Sequence, residues 1–310
     1  MKDPLKVFTG TANPELAAAV CKDLDIPLGR AQTSTFSNDN LFVQIEENVR
    51  ERDCFVIQPL RTSANIVELL LMLDALRSAS AKRISAVIPY YSYARSDKKD
   101  MPRISIAARL IADLLVTAGA NRILTMTLHS DQVQGFFSVP CDHLAPTPLF
   151  CQYFQQWDLT NFTVLAPDAG SAKRAGSFAS RLNLPLGFVD KRRVSDTRVE
   201  VRSVVGEVKG KHVIIFDDEI AAAGSLAENV KALQAFGAAD IYAGATHGVL
   251  SGPASERIME LPVKQVVVTD TLAIPPAKRI PKLSVLSVAP LFAEAIKRIH
   301  TGESVSEMFE

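Results

Sequence analysis

Residues 212–228, HVIIFDDEIAAAGSLAE, constrain the fold more than any other stretch of this chain. Residues 213–216 form an uncharged, mostly β-branched run. A strand with no polar face belongs in a parallel sheet covered by helices. The run stops at two adjacent carboxylates, Asp217 and Asp218, expected at the strand's carboxyl end, and then passes through small residues into a helix. Between Ala221 and Ser225 no large side chain shields the backbone N–H groups, and the following helix presents its positive end there. A phosphate fits that place. Two carboxylates would repel the phosphate unless they bind sugar hydroxyls or a metal cation, so the combination points to a phosphorylated sugar. Taken alone, the same residues read equally well as a strand, a turn and an Asp or Ser helix cap.

The rest of the chain alternates in the same manner. Strands are expected over 5–9, 54–57, 84–88, 122–128 and 162–165, and helices from Pro14, over 66–76 and over 104–117, the last ended by Gly119. Alternating strands and helices predict an α/β fold of mainly parallel sheets flanked by helices. A chain of 310 residues, 47% of them hydrophobic, forms two domains. Two prolines in the 144–148 segment LAPTP mark the boundary. The expected division is residues 1–145 and 146–289, with the segment 290–310 packing back on the first through Leu291, Phe292, Ala295, Ile296 and Ile299.

Charge excludes whole classes of partner. With 34 basic and 34 acidic residues the net charge is +0, which gives no field to draw the chain to nucleic acid or to an anionic membrane. The four cysteines lack the paired spacing of a zinc site. Lys2, Asp3 and Pro4 stand where a signal peptide needs an apolar segment, so a cytoplasmic location is expected.

In open α/β sheets ligands sit beyond the carboxyl ends of strands. After the strand 84–88 comes PYYSYARSDKKD, where aromatic rings stand beside Arg95, Asp97, Lys98 and Lys99, a composition suited to a nucleotide and also to a solvated turn. His129 follows the next strand, and Asp168 follows the strand 162–165 in the same way. Each reads singly as a capping residue. Together they read as neighbours of a shared divalent metal. Lys191, Arg192 and Arg193 are three adjacent cations before a possible hairpin, either a solvated basic turn or a loop that closes over a polyphosphate.

Read as an ordered set, FTGTANPELA, FSNDNLFVQIEENVR, MLDALRSASAKRISAVIPYYSYAR, LHSDQVQGFF, APDAGSAKRA, DKRR, THGVLSGPA and SVAPLFAEAIKRIH resemble the ribose-phosphate pyrophosphokinases over nearly the whole chain. The resemblance implies two phosphoribosyltransferase-type domains, assembled as dimers within a hexamer, with phosphate and ADP as possible effectors. It also implies transfer of the β,γ-diphosphoryl group of ATP to the anomeric hydroxyl of ribose 5-phosphate, with Mg²⁺, giving AMP and phosphoribosyl diphosphate. By position, Lys191 matches the family's catalytic lysine and Arg193 its partner on a mobile loop, while His129 and Asp168 match the magnesium-associated residues. Arg95, Ser96 and Asp97, with His129, match the nucleotide side, and Phe36, Asn38, Asp39 and Asn40 match a loop that reaches the adenine site of a neighbouring subunit. Asp217, Asp218 and Ala221, Ala222, Ala223, Gly224 and Ser225, with Arg193, match the ribose 5-phosphate site.

The chain departs from the family at four places. Where the sugar-phosphate loop commonly reads DDxxDTxGT it reads DDEIAAAGS here, so Ala221 replaces a carboxylate and Ala222 a hydroxyl. Weaker ribose 5-phosphate binding is expected, with a catalytically weakened or regulatory homologue as the alternative. Asn38 and Asn40 replace the Asp and Glu of the pattern FSDGE, and Ser96 the Gln of a usual Arg-Gln pair. Around Arg103 the segment KKDMPRISI departs from the wording usual at the regulatory site.

Overall fold

The computed structural model describes residues 5–193 and 199–309; over 190–193 and 199–202 it describes backbone alone, so the side chains of Lys191 and Arg193 lie outside the described residues. The chain forms two compact units, one of Met1–Ala145, Thr271–Ala273 and Ser287–Glu310, the other of Pro146–Asp270 and Ile274–Leu286.

The first unit is built on a parallel sheet whose strands lie in the order β1 (Leu5–Thr9), β4 (Asp53–Ile57), β5 (Arg83–Ile88), β6 (Arg122–Met126) and β7 (Cys141–Leu144). Its helices are α1 (Pro14–Asp23), α2 (Ser63–Ser78), α3 (Ala107–Ala118) and α8 (Ala289–Thr301). β2 (Ala31–Thr35) and β3 (Leu41–Ile45) form a separate antiparallel hairpin. Helix starts follow local chemistry. Asn13 Oδ1 accepts the Leu16 N–H at 3.3 Å, and Thr62 and Asn65 exchange side-chain-to-backbone bonds in a capping box that begins α2. α3 starts three residues later than the apolar periodicity predicts and ends at Gly119, whose φ of 125° suits glycine.

α8 packs against α1 and buries Phe292, Ala295, Ile296 and Ile299. A buried carboxylate ties its last turn to the sheet. Asp53, 4% exposed, accepts Arg83 Nε at 2.8 Å and pairs through its second oxygen with Arg83 Nη2 and with His300 Nδ1 at 2.7 Å, while Arg83 Nη2 also donates to the Ile299 carbonyl at 3.0 Å. Removing one partner of such a cluster leaves the others desolvated and unpaired. Arg83 keeps some contact with water, so Asp53→Ala is expected to cost about 3 kcal/mol, the lower end for a broken buried pair. Denaturant unfolding measures this, and a loss below about 1 kcal/mol, the range of an exposed pair, would contradict it.

The second unit carries a seven-stranded sheet in the order β10 (Val199–Val205), β9 (Leu186–Arg193), β8 (Phe162–Ala166), β11 (His212–Ile220), β12 (Ile241–Gly248), β13 (Val263–Thr269) and β14 (Leu283–Leu286). All neighbours are parallel except the β9–β10 hairpin. Its helices are α4 (Thr147–Phe154), α5 (Ala172–Leu182), α6 (Gly224–Ala235) and α7 (Ala254–Glu260). The apolar run of β11 is buried on both faces. Val213 and Ile215 join Leu226, Val230 and Leu233 of α6 and Ile258 of α7, whereas Ile214 and Phe216 join Phe150 and Phe154 of α4 and Phe178 of α5. Phe216 stacks on Phe178 with ring centres 4.2 Å apart, and a side chain at Gly244 of β12 would meet the Phe216 ring at 3.0 Å. Each such buried apolar side chain contributes about 1.5–3 kcal/mol relative to exposure.

Two strands differ from expectation. β6 ends at Met126 instead of residue 128, because Thr127 takes a φ of 43° and leaves the extended region. β11 continues to Ile220, so Asp217 and Asp218 lie inside the strand instead of at its end. No helix among the described residues is long and apolar enough to cross a membrane.

Candidate active site

Strand order singles out one end of one sheet. β8 leads through α5 to β9 on one side, and β11 leads through α6 to β12 on the other, so the winding reverses between β8 and β11. Crevices at such reversals, outside the carboxyl ends of the strands, are where open α/β sheets bind ligands. In the first unit the sheet strands follow chain order, without a reversal.

β11 outruns β8 at this point. Its pairing with β8 stops at Ile215 opposite Leu165, while its pairing with β12 continues through Asp217 opposite Ala245 to Ile220 opposite Gly248. Asp217 and Asp218 therefore sit on a ladder with one paired edge, next to the segment that follows β8. That segment carries Asp168, whose Oδ1 accepts the Ser171 N–H at 2.9 Å and lies 3.1 Å from Ser171 Oγ. The same hydroxyl lies 3.2 Å from Asp217 Oδ1. Ser171 thus bridges Asp168 and Asp217. Arg174, one turn into α5, approaches Asp218 Oδ1 at 3.9 Å.

Two neighbouring carboxylates set the electrostatics of the site. Asp218 is 3% exposed and Asp217 half-buried. Lost hydration, then the neighbouring Asp218 charge, raises the Asp217 carboxyl to about 7, against a smaller lowering by Arg174. A cation, or hydroxyl donors from a ligand, would relieve that repulsion.

The chain then turns through 221–225. Ala223 is left-handed at φ 57°, a conformation glycine or asparagine adopts more readily, and the turn is held by the Ser251 N–H to the Ala221 carbonyl at 3.0 Å and by Arg257 Nη1 to the Ala222 carbonyl. Unlike Asn13 and Thr62, Ala223 offers no capping oxygen to the helix it starts. The positive end of α6 opens at this turn, and an anion suits such a helix start.

The residues matched to the nucleotide lie in the first unit. Arg95, exposed, closes the turn after β5, Ser96 and Asp97 follow it, and His129, exposed, follows the end of the adjacent strand β6. Phe36 is 55% exposed at the tip of the β2–β3 hairpin, its ring 5.7 Å from Phe42. The Phe36 N–H donates to the Asn40 carbonyl, the Asp39 N–H to the Phe36 carbonyl, and the Asn40 N–H to Asn38 Oδ1. Lys191 and Arg193 stand two positions apart on β9, opposite Val201 and Val199 of β10. Ser171, Arg174 and Arg257 carry no role in the sequence reading. Ser171 lies three residues after Asp168, the spacing of a cap, and that was the one signal for it.

Two family models match the chain. One, the N-terminal domain of ribose phosphate pyrophosphokinase, covers residues 5–119, and the other, a phosphoribosyl synthetase-associated domain, covers residues 194–310. The chain is 56% identical to a ribose-phosphate pyrophosphokinase of Deinococcus radiodurans over 315 residues, covering 99% of this chain and 98% of that protein. It is 50% identical over 308 residues to one of Caldanaerobacter subterraneus, with 98% of each covered. The crystal structure of phosphoribosylpyrophosphate synthetase from Mycobacterium smegmatis superposes with a TM-score of 0.92 at 43% identity, covering 97% of this chain and 100% of that one. Identity at this level, sustained from end to end, means that the chain belongs to the ribose-phosphate pyrophosphokinase family.

Proposed function

We propose that this enzyme transfers the β,γ-diphosphoryl group of ATP to the anomeric hydroxyl of ribose 5-phosphate. The hydroxyl oxygen attacks the β-phosphorus, the bond to the α-phosphate oxygen breaks, the hydroxyl proton is released, and AMP and phosphoribosyl diphosphate leave. The observation that carries the reading is the meeting, at the β8–β11 reversal, of an acidic strand edge with the start of α6 through a turn of small residues. Asp217 and Asp218 accept the ring hydroxyls and orient the sugar, while backbone donors of 221–225 hold its 5-phosphate. Arg95, Ser96, Asp97 and His129 bind the nucleotide, and the exposed hairpin tip with Phe36 and Asn38 to Asn40 serves a neighbouring copy in a hexamer built from dimers. Lys191 and Arg193 offset charge on the diphosphoryl group as it transfers. No covalent intermediate is needed.

The donor set suits Mg²⁺. Asp168 and Asp217, bridged by the Ser171 hydroxyl at 3.1 and 3.2 Å, offer the carboxylate oxygens that such an ion takes. Asp168, carried by the second unit, would hold it, and His129 of the first unit is proposed as magnesium-associated by the family match alone. Bound there, it would supply charge neutralisation on the diphosphoryl oxygens.

Phosphorus NMR of a reaction with ATP, ribose 5-phosphate and Mg²⁺ tests the reading. Equal amounts of AMP and phosphoribosyl diphosphate are expected, and ADP with a singly phosphorylated sugar would overturn it. The alanine-bearing loop makes a second prediction. Restoring one carboxylate and one hydroxyl in the variant Ala221→Asp, Ala222→Thr adds contacts each contributing about 0.5–3 kcal/mol, so the KM for ribose 5-phosphate should fall about tenfold. An unchanged KM would show that the alanines cost the sugar nothing.

A further inference from the structure

The turn that carries His129 is strained and is held from the neighbouring strand. Thr127 has a φ of 43°, rare for a β-branched residue, and is 8% exposed. Strain of this kind persists only where the surroundings over-determine it, and it clusters at functional sites. Two bonds to consecutive residues of β7 hold this turn. The Thr127 N–H donates to the Leu144 carbonyl at 3.0 Å, and the Leu128 N–H, on a residue 1% exposed, donates to His143 Nε2 at 2.8 Å. A backbone N–H can only donate, so His143 Nε2 accepts and the ring proton sits on Nδ1. That nitrogen faces Asp131 Oδ1 at 3.8 Å and the Gln134 side-chain amide at 3.2 Å, both on the stretch just after His129. His143 therefore grips the chain on either side of an exposed histidine.

We infer that His143 is a positioning residue for the reaction, holding the Thr127–Leu128 turn through Nε2 and so fixing how His129 is presented to the nucleotide. The inference rests on the nucleotide-side role proposed for His129. His143 itself needs no contact with substrate. Its ring must accept at Nε2 and carry its proton on Nδ1, the side that faces the Asp131 carboxylate at 3.8 Å.

The test compares full-length His143→Leu, which removes the acceptor at similar volume, with His143→Gln, which keeps an accepting oxygen, with His129→Ala, and with the His129→Ala, His143→Leu double variant. Steady-state kcat and both KM values are measured alongside hydrogen exchange of the Leu128 amide. His143→Leu is expected to exchange that amide faster, to lower kcat at least tenfold and to leave the KM for ribose 5-phosphate within twofold, whereas His143→Gln keeps at least a third of kcat. The double variant should be no slower than His129→Ala, since one residue acts through the other. Unaltered Leu128 exchange, unaltered kcat in His143→Leu, or multiplied losses in the double variant would overturn the inference. Unaltered turnover in His129→Ala is a distinct failure, that of the His129 role, and it removes the ground for the inference as well. Should the leucine variant not fold, His143→Ala is judged by the same readings.

Discussion

Replacing Lys191 with alanine is expected to lower kcat by about 10²–10³-fold while leaving the fold and the KM for ribose 5-phosphate nearly unchanged. The reason is where the charge goes. As the diphosphoryl group moves between two oxygens, negative charge spreads over its outer oxygens, and a cation that meets them only at that stage lowers the barrier without tightening ground-state binding. Lys191 lies on β9, and its backbone pairs with Val201 of β10. Rapid-quench measurement of AMP formation in Lys191→Ala, with an unfolding curve as control, checks both halves. A fall confined to KM would assign Lys191 to ground-state binding.

The second large effect separates activity from stability. Asp217→Asn should lower kcat/KM for ribose 5-phosphate by about 10–150-fold, the loss of one charge-assisted bond of roughly 1.5–3 kcal/mol. The same change should raise the thermal midpoint of the ligand-free protein. The sign follows from linkage. Burial and Asp218 raise the Asp217 carboxyl from its ordinary value of 3.8 to about 7, so folding favours its neutral form. The stability tied to that proton is complete below the ordinary value and is lost as pH rises through the raised one. The gain in Asp217→Asn should accordingly grow from pH 4 to pH 7 and then level off. Midpoints across this range check it. A variant less stable than the parent at pH 8 would mean that Asp217 is held by favourable partners instead of endured for function.

The sequence made part of this legible, and the physics says which part. Residues 54–57 of β4 and 213–216 of β11 could be read because all of them are buried and apolar, where an unpaired charge would be costly. The β2–β3 hairpin was missed as strands because AQTST and LFVQI are polar or only part-buried along their length, and their partners are each other. The continuation of β11 through Asp217 was hidden for a different reason. It depends on β12, where Ala243, Gly244 and Ala245 let the ladder run on past Phe216, and a strand's own residues do not report its neighbour's. Ser171 and Arg174 belong to the same class. Their meaning comes from lying against Asp217 and Asp218, some 45 residues away in sequence. Asp217, Asp218 and the 221–225 loop were visible because carboxylates followed by small residues are chemically odd beside an apolar strand. Arg95 and His129 emerged as polar residues that follow adjacent strands.

The measurement that bears most directly on the central claim is AMP release from ATP and Mg²⁺ by the purified protein, followed over a wide range of ribose 5-phosphate. The account predicts no AMP without the sugar phosphate, AMP matched by phosphoribosyl diphosphate with it, and a high half-saturation point set by Ala221 and Ala222. Folded protein that binds ATP yet releases no AMP at any sugar-phosphate concentration would contradict the account and favour a regulatory member of the family.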